Sequence, residues 1–109
     1  MRQLLVAITL LLLSTSGTAQ DRWVGYGSGA QGCGKYVENR RTPNRTYDNY
    51  IGQWFYGFVT AFNYYGPNPQ VTREIDQDTV LAYLDKYCRE NPLASTSVGV
   101  LELIKTFVK

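Results

Sequence analysis

The segment that decides the fold is Tyr47–Tyr65, which reads YDNYIGQWFYGFVTAFNYY. Its apolar residues recur at intervals of three and four, the spacing that places side chains on one side of an α-helix. At 100° per residue they cover an arc of about 140°, so the segment predicts a helix that is buried along a wide front. The stripe consists of Tyr47, Ile51, Trp54, Phe55, Phe58, Val59, Phe62 and Tyr65.

Shorter helical patterns lie on both sides of this central helix. Cys33–Arg41 predicts a first helix, which Pro43 ends because the residue before a proline disfavours the helical conformation. The polar run Asp76–Thr79 is typical of a helix start and opens the third predicted helix. The core face of that helix is predicted to contain Val80, Leu81, Tyr83, Leu84, Tyr87 and Cys88.

A fourth helix is predicted near the C-terminus. Asn91 is its expected cap and Pro92 its first residue, since proline is well suited to that position. Its apolar face is predicted to contain Leu93, Val100, Leu103, Ile104 and Phe107. Because no alternating strand pattern of useful length occurs, the sequence predicts an all-α bundle of about four helices.

The first nineteen residues have the composition of a secretory signal peptide. Arg2 precedes the apolar run Leu4–Leu13, and the small residues Ser14–Ala19 follow, which gives the charged, apolar and cleavable parts of such a signal. The apolar run is about half of the roughly 20 residues that a membrane-spanning helix needs. We therefore expect cleavage after Ala19, no membrane span in the mature chain, and a periplasmic or secreted location.

The mature chain is predicted to form one domain. Gln20–Gly32 is rich in glycine and has little apolar pattern, so it predicts a flexible lead-in, and residues 33–109 form the single helical domain. Gly27–Gly32 formally matches the glycine pattern of dinucleotide-binding loops, but no strand precedes it, and no cofactor is expected. A domain of this size has a small core and gains only marginal stability from it.

The chain contains two cysteines, Cys33 and Cys88, and no histidine. In an exported protein an even number of cysteines predicts a disulfide. Both residues fall on the apolar side of their predicted helices, so a bridge between them would tie the first helix to the third. Closing this loop would stabilise the domain by about 4 kcal/mol through the entropy of the unfolded chain.

The composition disfavours catalysis, metal binding and nucleic-acid binding. Without histidine, and with both cysteines oxidised, the common zinc, haem and nucleophile sets are missing. Glu74, Asp76 and Asp78 could hold calcium, but they lack the spacing of a calcium-binding loop, and a capped helix start explains the same acids. The net charge of +2 gives no strongly basic face for nucleic acid. We expect a non-enzymatic protein without a metal or cofactor.

The densest positive patch lies at the end of the first predicted helix and just after it. It consists of Arg40, Arg41 and Arg45. Such a patch could meet an acidic protein, an anionic lipid or a polysaccharide. A solvated loop is the alternative interpretation of the same residues.

Three segments, Cys33–Tyr36, Trp54–Asn63 and Tyr83–Leu93, resemble a group of small exported bacterial proteins of unknown function. The layout has an early cysteine, a central aromatic helix and a late cysteine before Asn-Pro. It is more loosely similar to the HdeA/HdeB acid-stress chaperones and to the Tai-type immunity proteins, which neutralise amidase effectors. Both groups are compact helical proteins with a disulfide that bind another protein, often as homodimers. The resemblance therefore implies binding to a toxin, an effector or an unfolded client rather than catalysis.

Immunity proteins insert a loop into the active site of their effector, and the resemblance indicates Gly66–Asp76 as the corresponding loop here. On the central helix, Tyr56 and Tyr64 point away from the main stripe, and a homodimer would cover any apolar surface left there. Three functions stay open: a toxin-inhibiting binding module, an acid-activated chaperone and a structural envelope protein. The candidate partner-binding residues are Arg40, Arg41, Arg45, Tyr56, Tyr64, Asn68, Arg73 and Glu74.

Overall fold

The computed structural model describes residues 23–67 and 69–108; the predicted signal peptide lies outside these residues. Four helices follow a short 3-10 turn at Ser28–Ala30, and they are α1 (Cys33–Arg40), α2 (Arg45–Tyr65), α3 (Gln77–Glu90) and α4 (Thr96–Phe107). The described residues contain no β-strand beyond one isolated bridge. None of the helices in these two ranges has both the length and the apolar character of a membrane span. The prediction of an all-α bundle of four helices is confirmed.

The central helix, α2, begins at a side-chain cap. The Asn44 side chain accepts a hydrogen bond from the backbone N–H of Tyr47 at 3.1 Å, which satisfies one of the free donors of the first turn. Ile51 and Phe55 are buried on the predicted face, whereas Tyr65, also predicted to belong to this face, is 84% exposed. The last turn of α2 therefore extends beyond the core. The partly buried members of the stripe are Tyr47, Trp54, Phe58, Val59 and Phe62.

The predicted disulfide is present and joins α1 to α3. Cys33 and Cys88 are buried, and their Cα atoms lie 4.9 Å apart. α3 begins where predicted, because the Asp76 carboxylate accepts hydrogen bonds from the backbone N–H and the hydroxyl of Thr79 at 2.8 and 2.9 Å. This cap accounts for the acidic residue at the start of the helix.

The start of α4 differs from the prediction. Asn91 ends α3, and Ser95, four residues later, caps α4. Leu93, which was predicted to lie on the core face, is fully exposed. The physical reason is a contact between distant residues: Ser95 forms an isolated antiparallel bridge with Gly32, which holds the chain extended just before α4.

Residues 23–32, the described part of the predicted lead-in, are anchored by Trp54 of α2. Its indole Nε1–H donates a hydrogen bond to the carbonyl of Tyr26 at 2.6 Å. Gly29 is buried against the face of the same indole, so closely that a Cβ atom at this position would overlap the ring. The segment is therefore packed on the bundle ahead of α1.

Candidate functional site

A groove of about 450 Å³ lies between α2 and the loop that leads into α3. Phe55 and Ile75 are buried and Val59 is half-buried, so the base of this α2 groove is apolar. Three predicted binding residues come together in it. The residues that line the groove are Phe55, Tyr56, Val59, Arg73, Glu74, Ile75, Asp76 and Gln77.

Hydrogen bonds from α2 hold the loop that forms the outer wall of the groove. The Tyr56 hydroxyl donates to the carbonyl of Ile75 at 2.9 Å. The Asn63 side chain donates to the carbonyl of Val71 at 2.9 Å and accepts from its N–H at 2.8 Å. Because Val71 and Ile75 are also buried, the loop is fixed at both ends before any partner arrives.

The rim of the α2 groove is acidic. Burial raises the pKa of Tyr56, and the negative charges of Asp76 and Glu74 raise it further. The hydrogen bonds that Thr79 donates lower the pKa of Asp76, so this carboxylate is ionised at neutral pH. The groove therefore presents negative charge beside an apolar base.

Arg73 lines the groove, but its charge is directed towards the C-terminal end of the bundle. Its guanidinium carbon lies 5.7 Å from the centre of the Phe107 ring. At this distance a cation is attracted to the face of an aromatic ring. Arg73 therefore connects the loop to α4. Its positive charge does not neutralise the carboxylates of Glu74 and Asp76, so the rim of the groove stays negatively charged.

The remaining aromatic and loop candidates do not join the α2 groove. Tyr64 is 78% exposed and packs edge-on against Tyr65 at the end of α2. Asn68 lies outside the described residues. Arg45 is exposed and lines a separate polar hollow, together with Asp48 among others.

The structure divides the predicted arginine patch. Arg40 is only 26% exposed and pairs with two carboxylates: its Nη1 lies 2.8 Å from Asp48 and its Nη2 lies 2.9 Å from Asp85. Its Nε–H also donates to Asp85 at 3.0 Å, which makes the second contact bidentate. Arg40 therefore links α1 to both α2 and α3, and its charge is matched within the fold instead of being directed outward as the sequence had suggested.

Tyr36 completes this network from the core side. Its hydroxyl donates hydrogen bonds to Asp85 at 2.9 Å and to the carbonyl of Leu81 at 3.2 Å. Burial, and then the charge of Asp85, raise the pKa of Tyr36, so it stays a neutral donor. Burial by itself raises the pKa of Asp85, but the hydrogen bonds from Arg40 and Tyr36 outweigh it and hold that pKa below its usual range.

Sequence reasoning missed two groups of residues that shape these sites. Asp85 is not among the residues predicted for a site, although it is the centre of the network with Arg40. Sequence reasoning also assigned no role to Val71 and Ile75, although two apolar residues four apart in a polar loop are a signal that the loop packs against the core.

The described residues do not include a cluster of three potential metal-ligating side chains. Comparisons with family models, with curated proteins and with solved structures found no match. The similarity to acid-stress chaperones and immunity proteins therefore stays an expectation.

Proposed function

We propose that this chain is an exported, non-enzymatic domain that binds a segment of another protein in the α2 groove. The observation that supports this proposal is an apolar base, formed by Phe55 and Ile75, next to the acidic rim of Glu74 and Asp76. Protein interfaces commonly place an apolar anchor at the centre and polar groups around it.

The volume and the charge of the α2 groove indicate which side chains a partner must present. The groove volume of about 450 Å³ is suited to one or two side chains rather than to a folded domain. An apolar side chain would fill the base, and a neighbouring lysine or arginine would meet Glu74 and Asp76. We therefore propose an apolar residue flanked by a basic one as the bound element.

The way the loop is held favours a single partner bound near neutral pH. Because Tyr56 and Asn63 already fix the loop, binding would order few additional residues, and less conformational entropy would be lost. This property is what an inhibitor of a toxin or effector needs. A client-binding chaperone depends on adaptable surfaces instead.

The acid-activated chaperone is the second candidate, and the network around Asp85 supports it. The charged form of Asp85 accepts hydrogen bonds from Arg40 and Tyr36. Protonation of Asp85 would remove an ionic link between α1 and α3 and loosen their packing. Apolar surface would then become available in acid rather than at neutral pH.

Site-specific photocrosslinking in the producing cell tests the groove proposal. With benzoylphenylalanine in place of Arg73 at the groove rim, we expect one discrete adduct. With the same residue in place of Leu93, which is fully exposed on the turn before α4, we expect none. The additional substitution Glu74→Lys should reduce the Arg73 adduct at least about fivefold, because it reverses a charge of the rim.

The alternative outcomes of this experiment are informative. Equal crosslinking at both positions, or an adduct that Glu74→Lys leaves unchanged, would contradict the proposal. An adduct of twice the mass of the chain would identify a second copy as the occupant and would also contradict it. Circular dichroism of each variant shows whether the helices are retained.

A further inference from the structure

A second, smaller hollow of about 170 Å³ lies between α1 and α3. We propose that it binds the carboxylate of a glutamate or aspartate side chain in an acidic protein segment. This arginine pocket shares no lining residue with the α2 groove, so it is a separate interaction surface. It is lined by Val37, Arg40, Arg41, Asp85 and Arg89.

One guanidinium of the pocket is already held in a fixed orientation. Arg40 uses three N–H donors for its contacts with Asp85 and Asp48. A guanidinium has five such donors, so two of them are left for a ligand. Because the side chain is immobilised in the unbound protein, it loses little conformational freedom when an anion binds.

Two further guanidinium groups flank the pocket. Arg41 and Arg89 are exposed, and neither is ion-paired with a carboxylate of residues 23–67 or 69–108. Arg89 lines the pocket, and its positive charge adds to the larger effect of the hydrogen bonds from Arg40 and Tyr36 in lowering the pKa of Asp85. These two side chains are therefore available to an anion that enters.

The charges in and around the pocket favour a carboxylate. Three guanidinium groups, those of Arg40, Arg41 and Arg89, face two carboxylates, those of Asp48 and Asp85, which leaves one positive charge in excess. One added carboxylate would neutralise it, and its planar shape matches the guanidinium fork. Inorganic phosphate carries more negative charge than the single excess positive charge, so it would leave net negative charge beside Asp85.

The apolar part of the pocket favours a side chain over a free ion. Val37 is half-buried and lines the hollow together with the arginines. The methylene groups of a glutamate can contact Val37 while its carboxylate reaches the guanidinium groups. A segment with two or three neighbouring acids would also gain from the field of Arg41 and Arg89 outside the pocket.

NMR titration of the disulfide-bonded protein with a hexaglutamate peptide at low ionic strength tests this proposal. We expect saturable shifts of the Val37, Arg41 and Arg89 signals, and no comparable shifts with hexaglutamine. The double variant Arg41→Gln/Arg89→Gln should bind hexaglutamate at least about tenfold more weakly, because both free cations are lost. The control Arg45→Gln/Lys105→Gln changes the net charge equally and should stay within about twofold of the original affinity.

Several results would overturn the proposal. Equal loss of binding in both double variants would mean that only the overall charge matters, and binding of hexaglutamine would mean that the carboxylates do not. Inorganic phosphate that shifts the same signals at equal or lower concentration would identify a free anion as the ligand. A failure here would leave the photocrosslink at Arg73 unaffected, so the two surfaces are tested separately.

Discussion

Replacing both Cys33 and Cys88 with alanine is expected to lower the free energy of unfolding by about 4 kcal/mol. The disulfide closes a loop between residues 55 positions apart and joins α1 to α3 in the centre of the core. Without it the unfolded chain gains conformational freedom, whereas the folded chain gains almost none. Domains of this size have a total stability of about 5–10 kcal/mol, so a large part would be lost. Urea unfolding followed by circular dichroism measures the difference.

Reduction of the unmodified protein is the matched control for this substitution. It breaks the same bond without removing any side-chain atoms, and we expect the same decrease apart from a small contribution from packing of the sulfur atoms. A decrease below about 1 kcal/mol in both experiments would show that the disulfide does not determine the stability of the bundle.

Acidification from about pH 7 to about pH 2.5 is expected to destabilise the domain strongly. Protonation of Asp85 accounts for part of this loss of stability. Its pKa is lowered in the folded state, so its stabilising contribution is complete above the pKa of an unfolded aspartate. The contribution is lost as the pH falls through the lower pKa of the folded state. Protonation of the nine acidic side chains also leaves the ten lysines and arginines of residues 20–109 to repel one another.

The variant Asp85→Asn isolates the contribution of this group. Hydrogen bonds to a charged group contribute about 1.5–3 kcal/mol, and the 27% exposure of Asp85 reduces this range to about 1–2 kcal/mol at neutral pH. The difference between variant and original protein should shrink as the pH falls through the lowered pKa of Asp85, because the original protein then also loses the charge. Asp78→Asn, at an exposed position of the same helix, should change stability by less than about 0.5 kcal/mol at either pH.

The same measurements decide between the two proposed functions. A constant difference between Asp85→Asn and the original protein at all pH values would contradict the assigned role of the network. If the domain keeps its near-ultraviolet circular dichroism at low pH and binds no hydrophobic dye, the acid-activated chaperone proposal fails. Loss of fixed packing together with dye binding would favour it over the neutral-pH inhibitor.

The parts of the fold that the sequence predicted correctly depend on local signals. α2 has a long apolar stripe, and α3 has the Asp76 cap followed by a clear core face. The first residue of each helix therefore lies within two residues of its predicted position. The start of α4 could not be predicted in the same way. It depends on the pairing of Ser95 with Gly32, and nothing in the local sequence indicates that contact.

The candidate sites show the same division between local and long-range information. Tyr56, Arg73 and Glu74 were singled out from the sequence and meet in the α2 groove. The pairing of Arg40 with Asp85 joins residues 45 positions apart, and helical periodicity indicates no partner for either of them. An arginine that looks free in the sequence can therefore be committed within the fold, while its neighbour Arg41 stays exposed.

Mass spectrometry of the protein recovered from its native compartment tests most directly whether an exported domain is closed by one covalent link. We predict a chain that begins at Gln20, lacks the mass of two hydrogens relative to the reduced form, and yields a proteolytic fragment in which Cys33 is linked to Cys88. A chain that still begins at Met1, or one in which both thiols react with an alkylating reagent without prior reduction, would contradict it.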